Sequence, residues 1–187
     1  MTIDEIFSAL GEHMIEGLMV HSQLSDYFGF IGLDGYQECH KYHYFEENSN
    51  YKKLGNYYLH HYNKIITETP FKNPSIVPES WYQYTRHDVN STTRKNAIQV
   101  GITKWVEWEQ ETKKLYEQLY QELINLNEIA SAKEVCKYIE DVDKELVKAC
   151  QKHIELAAID FNIEDIIQEQ EDCKKKYKKK LKEINYD

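Results

Sequence analysis

The sequence predicts an all-α chain: an antiparallel four-helix bundle, one long crossover between its second and third helices, and an extra helix at the C-terminus. Three observations carry this reading. Apolar residues recur at three- and four-residue steps through most of the 187 residues, the repeat of a helix face. Helix breakers are few, with only three prolines and seven glycines. All three prolines (Pro70, Pro74 and Pro78) fall between Thr69 and Lys95, an interval too long for an ordinary turn between neighbouring helices. Two helices, a long crossover and two more helices make a bundle with a single crossover. The length suits one core. We expect residues 1–160 to form the bundle and 161–187 a charged helix packed on it or extending from it.

Each element has its own signals. The first helix is expected over Ile3 to Phe30, opened by a Thr2–Glu5 capping box, with Ile6, Leu10, Met14, Leu18, His21, Leu24 and Phe28 as its stripe. The second is expected from Gly35 to Thr67, with Asp34 and Gln37 at capping-box spacing. Its face reads His40, His43, Glu47, Asn50, Leu54, Tyr57, His61 and Ile65. An inward carboxylate on such a face is costly unless it is paired, hydrogen-bonded or bound to a metal. In the crossover, Trp81, Tyr82 and Tyr84 are expected to pin the chain along the bundle.

The third helix is expected to open at Asn96, with Gln99 completing a capping box. Its stripe is Ile98, Ile102, Trp105, Glu109, Thr112, Tyr116, Leu119 and Leu123, which makes Glu109 its inward acid. Ser131 and Glu134 are spaced to cap the fourth helix, with Cys136, Ile139, Asp143, Leu146, Cys150 and Ile154 on one face. After Asp160, Asn162 and Asp165 restart a fifth helix that runs to Ile184, acidic first and lysine-rich over Lys174 to Lys182, an order that complements the helix dipole.

Composition sets bounds on function. A net charge of −9 argues against a general nucleic-acid binder, leaving only the 174–182 lysine run for such a contact. No run of 18 apolar residues is present to span a membrane. The N-terminus reads as a capped helix and not as a signal peptide. The four cysteines, Cys39, Cys136, Cys150 and Cys173, have no zinc-site spacing, and reduced thiols in a cytoplasmic protein are the expectation. No GxSxG and no glycine-rich phosphate loop occurs.

The corner between the first two helices, YFGFIGLDGY from Tyr27 to Tyr36, followed by Glu46 and Glu47, resembles the junction of the first two helices in ferritins. Val135 to Glu140, VCKYIE, is similar to part of the fourth helix of animal ferritins. The resemblance implies a bundle whose working members hold two irons and oxidise Fe(II) with oxygen. It places Glu47 at the bridging ligand and Glu109 at the third-helix glutamate. It also places Asn50 where the family has a histidine, Met14 where it has a first-helix glutamate, and Val147 at the fourth-helix ligand. A thioether is no substitute for a hard carboxylate at iron. His43, one turn before Glu47, and Asp143 are the remaining candidates for a rearranged site for iron or another divalent metal.

Two functions are therefore weighed. One is a non-catalytic member that binds a protein partner or self-associates; the other is a metal-binding or storage protein. The former reading has Glu47 and Glu109 sharing a proton, with hydrogen bonds from nearby tyrosines. The acidic, Tyr- and Lys-rich composition also resembles that of small phage and mobile-element proteins. The charged C-terminal helix is longer and less apolar than the family's pore-lining one, which departs from the pattern of a closed cage.

Overall fold

A computed structural model describes residues 1–66 and 91–184. Five α-helices account for nearly all of them: α1 (Ile3–Phe30), α2 (Asp34–Tyr62), α3 (Ser91–Asn125), α4 (Ile129–Ala158) and α5 (Ile167–Ile184), the last preceded by a 3₁₀ turn at Ile163–Ile166. No strand occurs among the described residues, and none of their helices is long and apolar enough to cross a membrane.

The Thr2–Glu5 capping box forms as expected, with both reciprocal bonds made. The corner after α1 owes its shape to Gly32, whose φ of +84° is left-handed. Leu33 N–H then donates to Phe28 C=O at 2.8 Å, and the buried Leu33 side chain seals the turn. This closure runs directly into α2, so Leu33 is its N-cap and the expected Asp34–Gln37 capping box is not made. Asp34 instead pairs with Lys174 at 2.7 Å.

The other differences have similar causes. α2 ends at Tyr62, where Asn63 turns left-handed, and does not reach Thr67; of its expected face, His61 and Ile65 are exposed. α3 begins at Ser91, so Asn96 lies within the helix rather than capping it. Ser131 sits inside α4, where its hydroxyl is shared with Tyr57 (3.2 Å) and Tyr62 (2.5 Å) instead of capping. Asn162 does cap the restart, accepting from Glu164 N–H at 3.3 Å. The residues expected to pin the crossover, Trp81, Tyr82 and Tyr84, lie outside the described residues.

Side-chain contacts fix the directions of the helices. Tyr58 and Lys64, at the end of α2, bond to Asp4 at the start of α1. Tyr27, near the end of α1, donates to Ala97 C=O at the start of α3. The two helix ends joined by the long connection thus lie at opposite ends of the bundle, as a crossover requires. α2 and α3 run parallel, and each is antiparallel to its hairpin partner. α5 lies along α2, held by Tyr36 N–H to Gln170 Oε1 (3.1 Å), and reaches α4 through Lys152 and Glu169 (3.0 Å). Gly35 is what allows this approach, since a Cβ there would stand 2.5 Å from the Gln170 carbonyl oxygen. Three of the α5 lysines turn toward α2: Lys174 to Asp34, Lys178 to Glu38, and Lys180 over the Tyr42 ring.

The core divides into two apolar clusters. One gathers Leu24, Phe28, Leu33, Ile102, Trp105 and Leu156; the other gathers Phe7, Leu10, Met14, Leu54, Leu119 and Val135. Between them on every helix of the bundle lies a polar layer.

Candidate functional site

The middle turns of four helices supply this layer: His13, Gly17 and His21 from α1, His40, His43 and Glu47 from α2, Glu109 and Thr112 from α3, and Glu145 and Lys148 from α4. A cavity of about 670 Å³ opens between α2 and α4, and its wall includes Glu47, Glu109, Tyr116, Tyr138 and Glu145. Asn50 lies on the same wall, nearly one turn beyond Glu47. The two inward glutamates and His43 are thus brought together as the periodicity implied.

Glu109 is buried, and its Oε1 accepts from Trp105 Nε1 at 3.0 Å, with His21 Nε2 at 3.9 Å. A tryptophan, and not the expected tyrosine, is therefore its donor. The Glu47 carboxyl lies over α1 at Gly17, where an added Cβ would come within 3.3 Å of it. Met14 points into the adjacent apolar cluster. Burial raises Glu47 to about 8, helped by the charges of Glu109 and Glu46. Burial likewise raises Glu109 to about 8, with Glu145 adding to the effect and Trp105 and Lys148 opposing it.

The imidazoles divide into two kinds. His21 and His40 share an Nδ1–Nδ1 contact of 3.1 Å, so one ring donates and the other accepts. Burial holds both well below the ordinary histidine range, which keeps them neutral. His13, stacked on Trp108 and bonded to Thr112, is lowered by burial to about 4. His43 behaves in the opposite way. Burial disfavours its charge, but the Cys39 sulfur, Glu46 (2.8 Å from Nδ1) and Glu145 (3.2 Å from Nε2) outweigh it and raise it to about 9. The Lys148 ammonium completes the group, 2.8 Å from Glu145 and 3.2 Å from His43 Nε2, beneath the Tyr177 ring of α5.

Neither family models nor curated proteins match this chain. Solved structures do. A humanized archaeal ferritin aligns with a TM-score of 0.76 at 15% identity, covering 91% of this chain and 94% of that one. An engineered closed form of the Archaeoglobus fulgidus ferritin gives 0.76 at 13% identity, over 93% and 96%. The open pore ferritin from the same archaeon gives 0.75 at 13% identity, over 91% and 94%. The fold is ferritin-like.

Within this ferritin-like bundle some expected positions fall elsewhere. Val147 is 66% exposed, so counting along α4 without a gap placed the ligand position on the outer face. Asp143 is also turned away, half exposed and paired with Lys113 at 2.6 Å. Ile154, on the same expected face, is exposed as well. The inward stripe of α4 is instead Ala132, Val135, Tyr138, Val142, Ala149 and Leu156, with Glu145 and Lys148 in phase with it. These two were missed because a glutamate and a lysine three residues apart normally mark a solvated face. Their spacing from Tyr138 and Val142 was the available signal. Among the described residues, no group of three or more His, Cys, Asp or Glu side chains is arranged to hold a metal ion.

Proposed function

We propose that this chain is a ferritin-like bundle without a standard ferroxidase centre, a non-catalytic binding protein that engages a protein partner or further copies of itself. The observation that carries this reading is Lys148. Its ammonium lies in the polar layer beside Glu145 and His43, and its charge is felt at Glu109, His21 and His40. A fixed cation there neutralises carboxylates that a metal would otherwise need and repels an incoming dication. The donor set supports the same reading. Glu47 and Glu109 favour protonation, His43 is taken up by two carboxylates, and Met14 lies in apolar packing. These residues do not fit a pair of irons, each of which needs several oxygen or nitrogen donors.

Aerobic addition of two Fe(II) per chain tests the proposal. The expected result is no stoichiometric oxygen uptake and no retained iron after desalting; rapid uptake in proportion to iron would overturn it. Light scattering of the purified chain reports self-association directly.

A second reading, a rearranged site for iron or another divalent metal built on Glu47, Glu109, His43 and Asn50, has one observation in its favour. The Glu47 carboxylate lines one cavity together with Glu109, His43 and Asn50. On that reading Fe(II) or Mn(II) raises the melting temperature of the wild type by mass action, and the rise vanishes in Glu47→Gln.

A further inference from the structure

Two of the four cysteines meet across a helix seam. Cys39 on α2 is buried, Cys173 on α5 is partly exposed, and both belong to the same apolar cluster. The register between the two helices sets them opposite each other: Tyr36 meets Gln170, and Cys39 and Cys173 each lie three residues further on. The register is held on either side: Tyr36 binds Gln170 and Lys174 binds Asp34, while the Tyr42 and Tyr177 rings pack 5.6 Å apart beyond. The close approach at Gly35 draws the two backbones together in the same stretch. Cys136 and Cys150 differ in kind. They are 14 residues apart on one helix, about 21 Å along its axis, and cannot reach each other.

We propose that Cys39 and Cys173 form a peroxide-reactive dithiol site whose oxidation to a disulfide locks α5 onto α2. Cys173 is the attacking sulfur. It is the accessible one, and the neighbouring Cys39 thiol, opposed by burial, keeps the Cys173 thiol below the ordinary range, with Lys148 and Lys176 assisting. Burial pushes the Cys39 thiol up to about 12, which suits it to resolve the product and not to react first. In the first step the Cys173 thiol gives up its proton and the thiolate attacks a hydroperoxide oxygen; the O–O bond breaks, the departing oxygen takes up that proton and leaves as water or an alcohol, and Cys173 becomes a sulfenic acid. In the second, Cys39 sulfur attacks Cys173 sulfur. The S–S bond forms, the S–O bond breaks, and hydroxide leaves as water with the Cys39 proton. The two thiols are oxidised by two electrons and the peroxide is reduced by two.

The test uses the full chain, reduced and then exposed to hydrogen peroxide. Thiol titration under denaturing conditions is expected to fall from four groups to two. The intact mass should drop by about 2 Da, the two protons lost on forming one disulfide, and peptide mapping should link Cys39 to Cys173 within one chain. In Cys39→Ser, dimedone is expected to trap a sulfenic acid at Cys173, whereas Cys136→Ser/Cys150→Ser should behave as the wild type. Mapping in the wild type needs no variant and decides the matter alone. Four thiols surviving peroxide, a disulfide through Cys136 or Cys150, links only between chains, or sulfonic acid at Cys173 without a disulfide would each overturn the proposal.

Discussion

Glu47 shows how phase and burial together set the state of a single residue. Periodicity alone turned it inward beside Glu109, and the structure places both acids around one cavity. With both raised to about 8, each is largely protonated near neutrality and is forced to ionise above it. Glu47→Gln is expected to leave the melting temperature nearly unchanged at about pH 4, below the titration of a glutamate in the unfolded chain. At pH 8.5 it should raise it by a few degrees, corresponding to about 1 kcal/mol for a chain this size. Lower melting at both pH values would sink this account. His43 was equally legible, but its partners were not. Glu145 and Lys148 read as a solvated pair in a sequence rich in Glu and Lys, whereas in the fold they are partly buried, with the Tyr177 ring of α5 against the Lys148 ammonium. No local pattern announces burial by an element that follows much later in the chain.

Among the elements, the helices were legible and their starts were not. The Thr2–Glu5 box formed, with both of its reciprocal bonds made. At Asp34 and Ser131 the preceding turn had already fixed the entry of the chain, through left-handed Gly32 and Asn127, and left the expected caps for other partners. The α4 stripe was misread for a related reason: cysteines and isoleucines seeded a face that the structure turns outward at Ile154. The sharpest constraint between elements is the crossing of α2 and α5 at Gly35. Gly35→Ala would press a methyl group against the Gln170 backbone, so α5 must shift. The expected cost is about 1–3 kcal/mol, with faster amide exchange along α5. Unchanged stability and unchanged exchange would show that α5 adjusts freely.

Taken across the whole molecule, the buried groups predict the pH dependence of stability. His13, His21 and His40 are held neutral, with pKa values below those of the unfolded chain, so the stability they contribute is present above about pH 6.5 and is lost as pH falls. Glu47 and Glu109 are raised, so they favour the fold at low pH and lose that contribution as pH climbs from about 4.5 toward 8. His43, raised to about 9, loses its contribution between about pH 6.5 and 9. Melting temperature should peak at about pH 4.5 to 6.5, between the values at which glutamate and histidine titrate in an unfolded chain, and decline on both sides. A curve still rising from pH 6.5 to 9 would contradict the assigned charge states. The same scale gives α5 a mechanical meaning. The first hairpin, α1 with α2, and the second, α3 with α4, are joined by one covalent span, and α5, which belongs to the second, closes back on the first at Asp34, Tyr36 and Tyr42. The chain is thereby a buckle as well as a bundle: a cut in the span between the hairpins would still leave the tongue in the clasp.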